Sequence, residues 1–272
     1  MKKIDILINK FIKSSYFKLL IFFFIFVVFA DSINNLHDKK ANIRLKFDNI
    51  ILNKANNNKN SDLYWANKVI EGGYILHFRH TQREKWNDAT AFDALELQKK
   101  LTAEKESFIK ATCLTEQGVE EAKLINKFFN ILDIKISEVI SSPSCRARMT
   151  SQIAFGKIDK ISNSLLHRTA MTPKQGTIMA KQLKKLVLDL NIEKGKNIIL
   201  SGHGGTIEDN YDGKKFIDIN KYGNLERDEG GFVIIEKVNN KLIAVHKFKR
   251  FSNFINQIIE FPVNWILIGV FS

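Results

Sequence analysis

The sequence is poor in punctuation. It has three prolines in 272 residues, so few of its loops are rigidly fixed. It has two cysteines, Cys113 and Cys145, which excludes a disulfide-rich scaffold. No CxxC pair and no Cys/His metal spacing occurs, so neither a metal nor a cofactor is expected. A single bridge between the two thiols is open only if the chain is exported, and the unpaired reading is preferred. Acids are fewer than bases, 29 against 42, for a formal charge of +13. The lysines are scattered among asparagines rather than interleaved with aromatics, which argues against a nucleic-acid platform. No apolar run reaches the ~20 residues a membrane-spanning helix needs, and no internal repeat is evident.

What is present is ordinary for a globular chain: 44% hydrophobic and 26% charged residues. The length suits one large domain or two small ones and is ample for a buried core. Five lysines and Asp5 crowd the first 30 residues. Without them the balance is still +9, which favours anionic partners such as phosphorylated molecules. After Lys18 the run from Leu19 to Ala30 carries no charge. Val28 and Ala30 supply small residues before Asp31. Residues 1–30 are therefore expected to be a signal peptide, with cleavage favoured over a retained anchor. Export to the periplasm or cell envelope follows, and an uncut segment would leave the protein associated with the membrane.

Residues 31–62 are polar and rich in Asn and Lys, a linker in character. The ordered pattern begins near Asp62, with Ser61 placed to cap a helix that Gly72-Gly73 ends. Tyr74–Phe78, Ile136–Ile140 and Asn197–Leu200 read as buried strands. Helical spacing follows Thr115 and recurs over Arg146–Phe155 and Thr177–Leu190. Phe232–Val238 and Leu242–His246 flank Asn239-Asn240 as a hairpin. Strands alternating with helices predict an α/β fold, a three-layer sandwich with a largely parallel central sheet flanked by helices. The catalytic domain is expected over 63–255, followed by an apolar tail, 256–272, that packs as a helix.

Each of the three strands is followed by a polar cluster: Arg79-His80-Thr-Gln-Arg83, then Ser141 through Arg148, then Gly202-His203-Gly-Gly205. In a parallel sheet these clusters meet beyond the carboxyl ends of the strands. Several arginines in one pocket repel each other unless an anion joins them, and their planar forks match phosphate oxygens. Neighbouring positive charge keeps a histidine neutral, and a neutral imidazole can attack phosphorus.

These residues resemble the histidine phosphatase superfamily, which includes the cofactor-dependent phosphoglycerate mutases. The likeness rests on Arg79-His80, on Leu114-Thr-Glu-Gln-Gly118, on Ser142-Pro-Ser-Cys-Arg146-Ala147 and on Gly202-His203-Gly204, in that order over residues 72–250. It implies that His80 is the phosphorylated nucleophile and that Arg79 and Arg146 hold the phosphate. His203 stabilises the transferring group, and Arg83 is a further phosphate ligand. Thr81 stands where the family has glycine. The mutases also carry a glutamate between the second arginine and Gly-His-Gly as proton donor. Here that interval offers only Asp159, Asp189 and Glu193, none in a convincing context. Glu208 is the first choice of donor, then Glu229, with Glu84 and Asp88 as alternatives. Arg148 is left open between a supporting arginine and a helix-surface charge. His77 is expected to be a satisfied structural residue. His37, His167 and His246 are expected at the surface or in packing. The leading expectation is a metal-independent phosphomonoester phosphatase that works through phosphohistidine on a phosphorylated small molecule or envelope sugar phosphate. A mutase-type phosphotransferase and a non-catalytic phosphate-binding module are the alternatives.

Overall fold

The structure is a computed structural model and describes residues 61–85, 100, 105, 112–168, 171–207, 217–219 and 224–258. The chain divides into two units, 1–53 and 54–272, and every described residue lies in the second. The expected signal segment, nearly all of the linker, His37, Glu208, Asp88 and the last part of the apolar tail lie outside the described residues.

The first helix, α1 (Asp62–Glu71), opens as its sequence dictates. The Ser61 hydroxyl accepts from the Tyr64 amide at 3.1 Å, satisfying one orphan donor of the first turn. Gly72 ends it at a φ of 77°. A Cβ there would lie 2.5 Å from the Gly195 carbonyl carbon, so glycine is required on two counts. Strand β1 (Ile75–Arg79) follows, then α2 (Glu116–Ile131), β2 (Ile136–Ser141) and α3 (Cys145–Phe155). Next come a two-residue strand β3 (Lys160–Ile161), a 3₁₀ turn (Asn163–Leu165), α4 (Pro173–Asp189) and β4 (Asn197–Gly202). The hairpin β5 (Phe232–Val238) and β6 (Lys241–Phe248) and the helix α5 (Phe251–Ile258) complete the unit.

The six strands form one sheet in the order β3-β2-β4-β1-β5-β6. The pairs β2–β3, β2–β4 and β1–β4 are parallel, while β1–β5 and β5–β6 are antiparallel. The expected α/β class holds, with a parallel part that carries the polar clusters and an antiparallel edge. Asn239 and Asn240 both adopt positive φ, 45° and 62°, as a two-residue hairpin turn demands. Alternating residues of β1 serve different layers. Ile75 joins Leu183 and Val187 of α4 in one core cluster. Phe78 stacks on Phe232 and meets Phe129 and Phe155 of α2 and α3 edge-on. Burying a phenylalanine of this kind contributes roughly 2–3 kcal/mol. Phe251 and Phe254 of α5 extend the same aromatic layer.

Two differences from the sequence reading concern elements. Helix α4 begins four residues earlier than its spacing suggested. Thr172 and Gln175 form a reciprocal capping box ahead of Pro173, where a missing amide costs nothing. Strand β3 is too short to leave a period. The cysteines require a correction: Cys113 and Cys145 are joined in a disulfide and almost fully buried. Spacing alone could not bring the chain before α2 against the start of α3. Among the described residues no helix is long and apolar enough to cross a membrane.

Candidate active site

Strand register brings the three polar clusters together. Arg79 of β1 pairs with Gly202 of β4, and Ser141 of β2 pairs with Ser201 of β4. The residues that follow each strand therefore leave the sheet side by side. The His80 amide donates to the Gly202 carbonyl, and the His80 carbonyl accepts from Gly230, each at 3.0 Å. The backbone at residue 80 is thus clamped between the neighbours of its own strand. A third support comes from α2. A Cβ on Gly118 would lie 2.0 Å from the Gln82 carbonyl oxygen, so only glycine lets the helix approach this loop. Thr115 caps that helix through the Gly118 amide.

His80 is buried, and its Nδ1 lies 2.8 Å from the Thr81 carbonyl. A carbonyl only accepts, so Nδ1 carries the proton and Nε2 presents a lone pair. Burial holds the imidazole well below its ordinary pKa. Arg146 adds to this, the Thr81 hydrogen bond opposes it, and Arg79 and Arg83 push the same way as Arg146. Thr81 itself is fixed by Gly118 and Thr150, with its hydroxyl donating to the Gly118 carbonyl at 2.7 Å.

His203 lies against His80, ring centroids 5.4 Å apart at 68°. Its Nδ1 faces Arg146 Nη2 at 3.4 Å, and a guanidinium only donates, so Nδ1 is the acceptor. Its Nε2 faces the Ser142 and Ser144 hydroxyls, both at 3.3 Å. Ser144 precedes α3 but makes no side-chain cap bond; its hydroxyl orients His203 instead. Burial lowers the His203 pKa far below normal, with Arg146 and then His80 adding to the effect. Arg146 stands in the first turn of α3 and is itself buried. The disulfide at Cys145, its immediate neighbour, pins that turn.

Arg79 donates to the Arg227 carbonyl at 2.8 Å and approaches Glu229 at 3.5 Å. Arg83 hydrogen-bonds to the Glu84 carbonyl, and its backbone bridges Leu114. Arg79, His80, Arg83, Arg146 and His203 all line one cavity of about 330 Å³, together with Gly204 and Gly205. Arg148 does not. It is buried and donates to the Pro143 carbonyl at 2.9 Å, so it shapes the turn before α3 and is no surface charge.

Of the candidate donors, Glu229 is tied to Arg79, Glu84 is exposed, and Glu208 and Asp88 lie outside the described residues. The three acids between Arg148 and Gly202 are engaged elsewhere. Asp159 accepts from the Val139 amide, and Asp189 and Glu193 pair with Lys185 and Lys196.

Sequence reasoning missed three lining residues, Arg227, His167 and Glu226. Arg227 is buried and its fork spans the site. Nη1 reaches the Gly204 and Leu225 carbonyls at 3.0 Å each, and Nη2 meets His77 Nδ1. His77 is therefore engaged on one side only, because its buried Nε2 has no hydrogen-bond partner among the described residues. Burial, then Arg227 and Arg168, keep His77 uncharged. His167, expected at the surface or in packing, lines the cavity, its ring edge-on to His203 at 5.5 Å. His246 is buried, stacked against Trp65. Among the described residues no three His, Cys, Asp or Glu side chains gather as a metal set.

The fold and this cluster make an α/β protein whose sheet edge carries a pocket lined by arginines and histidines. No protein-family model and no curated protein matches the chain. Among solved structures it is similar to the protein histidine phosphatase SixA complexed with tungstate, at 11% identity. That match covers 64% of this chain and 96% of SixA, with a TM-score of 0.42. It is also similar to phosphoserine phosphatase from Entamoeba histolytica in complex with 3-phosphoglyceric acid, at 14% identity. That match covers 64% of this chain and 95% of the other, with a TM-score of 0.40.

Proposed function

We propose that this protein is a phosphomonoester phosphatase of the histidine phosphatase superfamily that works through a phosphohistidine at His80. The observation that carries the reading is the state of that ring. Its Nδ1 is tied to the Thr81 carbonyl, which leaves Nε2 with the lone pair; the ring is held neutral and lines one cavity with Arg146, Arg79 and His203. In the first step Nε2 attacks phosphorus, the N–P bond forms and the ester P–O bond breaks. The departing oxygen leaves with a proton as the alcohol. Water then attacks the phosphohistidine, the N–P bond breaks, and inorganic phosphate is released. Arginine forks on the equatorial oxygens stabilise the charge that builds in each transition state. Removing one such donor typically costs about 10²–10³ in rate.

The proposal includes export, with the substrate a phosphorylated small molecule or an envelope sugar phosphate. Two features support export: the basic-then-apolar pattern of residues 1–30 and the Cys113–Cys145 disulfide. Disulfides persist in oxidising compartments. A screen of phosphate esters with the full chain and the His80→Ala variant tests the function. The wild type is expected to release phosphate and to trap an acid-labile phosphoprotein; the variant is expected to do neither. Anion binding without release from any ester would reduce the site to a phosphate-binding module.

A further inference from the structure

Breaking an alkyl phosphate ester requires a proton for the departing oxygen, because an alkoxide is a poor leaving group. Within the described cavity the titratable side chains other than the arginines are His80, His167, His203 and Glu226. His80 is the nucleophile on the reading above, on which this inference rests. His203 is committed at both ring nitrogens, to Arg146 on one side and to Ser142 and Ser144 on the other. Glu226 is exposed at the rim. The geometry points to His167 as the residue that protonates the leaving oxygen.

Its placement fits that task. The residue follows the 3₁₀ turn and is anchored on both sides, since Leu165 and Leu166 are buried before it and Arg168 is buried after it. Its ring is half-buried, lines the cavity and stands edge-on to His203. A bound phosphoryl dianion favours the imidazolium form of a ring beside it. As His80 Nε2 bonds to phosphorus and the ester P–O bond breaks, imidazolium N–H passes its proton to the departing oxygen. The alcohol leaves, and His167 remains as the neutral ring. In the second step that ring takes a proton from the attacking water while the N–P bond breaks. Phosphate, neutral His80 and protonated His167 are regenerated, so no external acid or base is consumed.

The test compares His167→Asn with wild type on p-nitrophenyl phosphate, whose phenolate departs unaided, and on glycerol phosphate, whose alkoxide does not. The ratio kcat/KM reads the chemistry up to departure of the alcohol. For glycerol phosphate it is expected to fall at least 100-fold, in line with the ~10²–10⁴ range for general acids. For p-nitrophenyl phosphate it is expected to change less than about fivefold, which also shows that the variant is folded. On that second substrate kcat and KM should fall together, because breakdown of the phosphoenzyme loses its base. Added imidazole should restore part of the glycerol phosphate activity. An equal loss on both esters, or no loss on either, would overturn the assignment. So would a selective loss in Glu226→Gln with His167→Asn unaffected. Failure of the underlying reading looks different: wild type itself would form no phosphoprotein and release no phosphate from either ester.

Discussion

Three imidazoles, His77, His80 and His203, are buried beside arginines, and each is held well below its ordinary pKa. In the unfolded chain each titrates near pH ~6.5. Below that pH the unfolded state binds more protons than the folded one, so stability rises with pH there and is lost as pH falls. The melting temperature is expected to hold above pH 7 and to drop from about pH 6.5 downward, as calorimetry across that range would show. The proposed attack on phosphorus needs the neutral His80 ring, which exists above its folded pKa. The acid limb of kcat/KM should therefore lie well under 6.5, and a limb at or above 6.5 would contradict the proposed nucleophile. Arg227 offers a second test. One ammonium cannot replace a fork that holds the Gly204 and Leu225 carbonyls and His77 at once. Arg227→Lys is expected to cost about 1–3 kcal/mol in a urea titration, and to slow turnover because Gly204 adjoins His203. His80, Arg79, Arg146 and His203 were legible in the sequence because each ends or follows a strand or opens a helix. Arg227 was not, because its contact with His77 spans 150 positions and no local pattern marks it. His167 was not legible for a related reason: a lone histidine beside the 3₁₀ turn carries no partner pattern in the sequence.

The elements around the site were read mostly from periodicity and caps. Ser61, Thr115 and Gly72 marked their helix ends correctly because caps are local chemistry. The disulfide is the opposite case, a contact between two elements with no local signal. It closes a 32-residue separation and joins the segment before α2 to the first residue of α3. Chain-entropy arguments assign such a loop about 3–4 kcal/mol of stability. Cys145→Ser is expected to lower the melting temperature by about 10 °C. Because Arg146 follows directly, KM for a phosphate ester should rise as well. A variant that melted lower with an unchanged KM would show that the bridge stabilises the domain without holding the arginine.

Over the whole molecule, charge is the property that a phosphate ester, the proposed substrate, would meet first. The formal charge of +13 and a cavity lined by Arg79, Arg83, Arg146 and Arg227 both favour approach of phosphate esters. Raising ionic strength from 0.01 to 0.5 M shortens the screening length from about 30 Å to a few ångströms. The logarithm of kcat/KM should therefore decline steadily with added salt, and flat salt dependence would mean that only the groups in direct contact matter. The α/β class was legible because three strands and their helices alternate. The antiparallel edge and the strand order were not, since pairing is decided by packing across the sheet. That order has an outcome for the life of the gene product. His80, Arg146, His203 and Arg227 come from four stretches spread over just over half of the chain, and they meet only when β2, β4, β1 and β5 lie side by side. A premature stop at any codon ahead of Arg227 would therefore leave a peptide with an unfinished pocket.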